Sequence, residues 1–173
     1  MIIDVKRLLS YSLLFLIVLL KPNTATAQLL GTNKAATEEP AKTPEDSLGR
    51  RTPQGTVNGF IKALGDQNYL RASQYLVLSK RSYRKTTERM RIAKTFQQLL
   101  DQGGTFSPSS IISSKEIGRI DDDLATGVDL VGSISTDRTA IQLYLENQSD
   151  DSQPSVWLFS AETVEAIASA DIS

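Results

Sequence analysis

The densest group of oxygen ligands in the sequence is Asp121-Asp122-Asp123, followed by Asp129. Such spacing invites a calcium ion, which takes six to eight oxygens and in the EF-hand draws them from fixed positions of a 12-residue loop. A loop of that kind started at Asp121 places Ala125 where an oxygen is needed, Thr126 where glycine makes the turn and Gly132 where a bidentate glutamate closes the cage. The template fails at all three, and a solvated turn before a strand is the plainer reading, with a weak cation site as the alternative. A second group is basic: Lys80, Arg81, Arg84, Lys85, Arg89, Arg91 and Lys94, with Tyr83 among them. This could hold nucleic acid, lipid headgroups or an acidic partner, or be a solvated helix face. Gly103-Gly104 follows a helical pattern and lacks the lysine of a phosphate loop, so it reads as a helix stop with a left-handed turn.

The composition narrows the chemistry further. The chain has 173 residues, no cysteine and no histidine. Histidine relays, imidazole acid-base chemistry and ordinary zinc sites are thereby removed, as are disulfides, thiolate nucleophiles and iron–sulfur clusters. Paired carboxylates could still hydrolyse glycosides. No pair stands out, however, and an aromatic content of 6% is thin for stacking sugars. The expectation is a noncatalytic protein with no cofactor. The near-neutral total hides a division: Arg50 to Lys94 holds 11 basic residues and two acids, whereas Thr95 to Ser173 holds three basic residues and 13 acids.

The N-terminus has the three-part layout of an export signal. Lys6 and Arg7 precede an apolar run from Leu8 to Leu20, and Ala25 and Ala27 occupy the small-residue positions of a cleavage site before Gln28. The 13-residue run is shorter than the roughly 20 residues that span a bilayer, so a retained anchor is the minor alternative. Residues 28–46 are rich in Thr, Ala, Pro, Glu and Lys, with no apolar periodicity after Leu30, and read as a disordered linker. The expected organisation is a signal at 1–27, a linker at 28–46 and one domain at 47–173. Export to the periplasm, with association at the inner membrane as an open alternative, also argues against nucleic acid as a partner.

Thr52-Pro53 reads as a helix start, followed by Val57, Phe60, Ile61 and Leu64 on one face. Gly65-Asp66 closes that helix, with Asp66 as cap of a second carrying Tyr69, Ala72, Tyr75 and Leu76. These resemble one tetratricopeptide unit, but no repeat follows. A third helix is expected from Thr86 or Thr87 to about Gln102, its inner face made by Ile92, Ala93, Phe96, Leu99 and Leu100. Beyond a turn at Ser107-Pro108, period-2 patterns at Val128, Leu130 and Ile134 and at Ile141, Leu143 and Leu145, then the run Val156 to Phe159, predict three strands. Ser160 caps a last helix from Ala161 to about Ser169. The fold class is α+β: an N-terminal helical hairpin and a third amphipathic helix packed on a three-stranded antiparallel meander, with a short C-terminal helix.

The run from Asp46 to Phe60, with Gly49, Arg50, Thr52, Pro53, Gly55 and Phe60 at its fixed points, resembles the segment that opens the extracytoplasmic N-terminal domain of bacterial MscS-like mechanosensitive ion channels. The pattern there is approximately D-P-x-G-R-x-T-P-x-G-T-x-x-G-F; Ser47 stands in place of its usual proline. Further matches follow in order: Tyr69, Ala72, Tyr75 and Leu76; Gly118 to Leu124; Val131 to Ile134; and Trp157, Phe159 and Ser160 with Thr163-Val164. The resemblance implies a sensory or packing domain outside the inner membrane, with structural or contact roles for these residues and no catalytic ones. A channel protein of the inner membrane or a lipid surface is the implied partner. Pore and gate are not carried over, since the given sequence reaches Ser173 without the family's membrane helices; a fragment, a split reading frame or a stand-alone relative is expected. An independent periplasmic protein, holding a small apolar molecule between helices and meander, is the alternative. The oligomeric state is not legible.

Overall fold

The computed structural model describes residues 45–138, 140–150 and 152–170. The expected signal, with Ala25 and Ala27, and nearly all of the expected linker lie outside them. No helix among the described residues is long and apolar enough to cross a membrane.

The first helix, α1 (Pro53–Gly65), starts where proline can occupy the first turn without losing a bond, and the Thr52 hydroxyl accepts from Gly55 N at 3.0 Å. Its buried face is Val57, Phe60, Ala63 and Leu64, while Ile61 lies off that stripe and is 44% exposed. The chain turns through Gln67 in the left-handed region, φ 52°. Asn68, not Asp66, caps the next helix by accepting from Arg71 N at 2.9 Å. The expected hairpin partner is short: α2 (Tyr69–Ala72) tightens into a 3₁₀ turn, Ser73–Tyr75. Leu76 is already extended, because it bridges Phe159 of the sheet and the next residue donates from Val77 N to Phe159 O at 2.9 Å.

A further one-turn helix, α3 (Lys80–Tyr83), leads into α4 (Thr86–Gly103), which buries Ile92, Ala93, Thr95, Phe96 and Leu99. The glycines at its end, Gly103 and Gly104, do not make a left-handed stop. Gly104 is extended, φ −87° and ψ 145°, and opens a strand. Both glycines serve close approach: a Cβ on Gly104 would come within 2.5 Å of Leu100 Cα, and one on Gly103 would strike Ser135 O.

That strand makes the sheet four-stranded, in the order β1 (Gly104–Phe106), β2 (Val128–Ser135), β3 (Ala140–Asn147) and β4 (Trp157–Phe159), all neighbours antiparallel. The three-strand expectation is corrected accordingly. β2 also carries a bulge: Leu130 faces Tyr144 but Gly132 faces Leu143, leaving Val131 as the extra residue. The buried positions are therefore Asp129, Val131 and Ile134, while Leu130 turns outward at 37% exposure. In β3 the alternation holds, with Ile141, Leu143 and Leu145 inside. α5 (Ala161–Ser169) begins at Ser160, whose hydroxyl accepts from Thr163 N at 3.1 Å, and buries Val164 and Ile167.

Aromatic rings fill the space between helices and sheet. Phe60 lies 4.8 Å from Phe96 and 4.7 Å from Phe159, centroid to centroid, with Tyr75 at 6.2 Å from Phe60 and Phe106 at 6.3 Å from Phe159. Such contacts add about 0.5–1.5 kcal/mol per pair beyond their buried area.

Candidate functional site

The residues that carry the family resemblance come from both ends of the described chain, and the structure brings them to one junction. Gly49 takes φ 74°, which only glycine adopts at little cost, and so turns the chain back on Asp46. The Asp46 carboxylate then accepts from Arg50 N at 2.7 Å and, in a bidentate pair, from its Nε and Nη2 at 3.1 and 3.0 Å. These bonds hold the Asp46 carboxyl below the usual range. Arg50 Nη1 reaches Gln74 O at 3.0 Å, and Arg50 O accepts from Trp157 N at 2.8 Å. Thr56 Oγ1 donates to Trp157 O at 3.0 Å, so α1 and the block before it both grip β4. Gly55 packs under Gly49 O, and Tyr75 Oη donates to Leu48 O at 3.0 Å over the bare Cα of Gly59. Thr52 and Pro53 start α1, Phe60 meets Phe159, and Ser160 caps α5. Asp46, Thr56 and Gly59 stand at fixed letters of the matched pattern but were not singled out as site residues, because the partners of Thr56 and the side chain over Gly59 come from elsewhere in the chain.

Trp157 is fully buried and extends the junction to the loop between β1 and β2. Its Nε1 donates to Glu116 O at 2.9 Å, and its ring lies against Gly118, which takes φ 80°. Beside it Asp129, 1% exposed, accepts from Arg119 N at 2.9 Å through Oδ1, while Oδ2 is buried without a partner among the described residues. Burial pushes the Asp129 carboxyl up, the nearby Asp122 and Asp121 add to this, and the Arg119 N–H and charge oppose it. Asp121 and Asp122 turn to Arg119 instead, with Nε–oxygen distances of 3.5 and 3.8 Å. The four carboxylates thus do not converge, and no group of three or more acids among the described residues is placed to hold a metal ion.

Three surface features surround this framework. The loop forms an open cleft of about 600 Å³ between Ser110 and Asp121, with Ile111, Ile117 and Ile120 exposed on the loop. A groove of about 290 Å³ lies between α1, α4 and β1, lined by Ile61, Leu64, Leu100 and Phe106. The third is basic: Arg81, Ser82 and Lys85 line a hollow of about 310 Å³ with Glu88 on its wall.

No family model matches the chain, and no curated protein or solved structure matches it.

Proposed function

We propose that the chain is a noncatalytic interaction or sensing domain working outside the cytoplasm at the inner membrane, related to the extracytoplasmic N-terminal domain of MscS-like channels. The observation that carries the reading is the junction: matched residues from Asp46–Phe60 and from Trp157–Ser160 bond directly to each other. The resembling blocks therefore belong to one structural unit. Roles for these residues are those of packing and capping, and the partner is an inner-membrane protein or the lipid surface itself.

The open cleft at 110–121 favours a second reading, a periplasmic protein for a small ligand. The space between helices and sheet is filled by aromatic rings, so this reading would use the loop. Fractionation of cells producing the tagged full chain, followed by cross-linking, separates the two. Recovery in the envelope with a cross-linked inner-membrane partner is expected. Retention in the cytoplasm, or tight binding of a small molecule without membrane association, would overturn the first reading.

A further inference from the structure

We infer that the α3–α4 face is a docking surface for anionic phospholipid headgroups, an inference that rests on the membrane-side reading above. From Lys80 to Lys94 the chain carries seven basic residues and one acid, Glu88. Among the described residues, Arg91 is the member of this run held in an ion pair, with Glu88 Oε1 at 2.8 Å. Lys80, Arg81, Arg84, Lys85 and Lys94 are exposed, and their charge is left to the solvent side. Glu88 itself is held below the usual carboxylate range, by Arg91 first and then by the charges of Arg91, Lys85 and Arg81. The hollow lined by Arg81, Ser82, Lys85 and Glu88, the last paired with Arg91, offers two cations and a hydroxyl to one phosphate. It sits where α4 begins without a side-chain cap, at the positive end of an 18-residue helix.

Two apolar side chains make a membrane the better occupant than an acidic protein. Tyr83 is 64% exposed and Met90 38%, both within the basic run. Arg89 lies 5.2 Å over the Tyr83 ring, which leaves the ring at the surface among cations. An aromatic side chain of this kind settles at the headgroup level of a bilayer. The acids of the molecule concentrate after Thr95 in the sequence, so the run from Lys80 to Lys94 is the stretch that a negative surface attracts most.

The test is cosedimentation of the purified full chain with vesicles of phosphatidylcholine alone and of equal parts phosphatidylcholine and phosphatidylglycerol. Any apolar N-terminal contribution acts on both. Stronger binding to the anionic vesicles, weakened by salt, is expected, and Arg81→Glu with Lys85→Glu should lower it on the order of tenfold or more. The charge-matched Lys62→Glu with Arg71→Glu, outside α3–α4, should bind as the parent does. Equal binding to both vesicles, an unchanged double variant, or capture of an acidic protein with no vesicle binding would each overturn the inference. Envelope association of the parent chain, with anionic-vesicle binding unchanged by Arg81→Glu/Lys85→Glu, refutes this face while leaving the proposed function standing; absence of envelope association in the parent chain refutes the proposed function.

Discussion

Asp129 is a carboxylate taken out of water with a single hydrogen-bond partner among the described residues, the Arg119 N–H. Because its folded-state pKa is raised above the ordinary 3.8, the native state binds the proton more tightly than the unfolded chain does. Its contribution is therefore fully present below 3.8 and is lost as pH rises through the folded value. Asp129→Asn keeps an oxygen for Arg119 N–H and removes the buried charge. The variant should gain stability relative to the parent as pH rises from acid toward 7, because it lacks the charge whose burial costs the parent there. Urea denaturation across pH measures this; parallel curves for parent and variant would refute it. The inward position of Asp129 was not legible in the sequence, since the Val131 bulge changes which residues of β2 face the core. The acidic run looked like one cluster only because sequence adjacency hides that Asp129 and Asp121 face different surroundings.

At the level of elements, those with long periodic faces or clear caps were legible, namely α1, α4, β3 and α5. β1 was not, because three residues beginning at a glycine carry no periodicity, and its pairing is fixed by Gly132 and Gly103 allowing close approach. α2 was overestimated because Leu76 is drawn into contact with β4, a contact invisible locally. The same distinction holds for the junction: the helix start at Thr52-Pro53 and the apolar run ending at Phe159 stood out in the sequence, but not that Arg50 O would meet Trp157 N. The cap of α5 makes a sharp prediction. Ser160 Oγ accepts from Thr163 N, and Thr163 Oγ1 in turn accepts from Tyr144 N at 3.0 Å and donates to Gln142 O at 3.2 Å. Ser160→Ala should cost about 1–2 kcal/mol through the lost cap. A shifted denaturation midpoint at unchanged slope is the expected result, and no shift would show the cap to be idle.

For the whole molecule, charge is divided along the chain, and the formal total of −1 describes neither half. At pH 7 and low salt the protein should be retained by both anion and cation exchangers, and Arg81→Glu/Lys85→Glu should abolish retention on the latter alone. Retention on an anion exchanger only, in the parent, would show that the basic face is not presented. The bond from Thr56 Oγ1 to Trp157 O spans 101 positions. A ribosome adding about 5–20 residues per second therefore needs roughly 5–20 s after making α1 to supply the strand that covers it. Throughout that interval the nascent chain cannot complete its fold, and the apolar face of α1 waits without its cover.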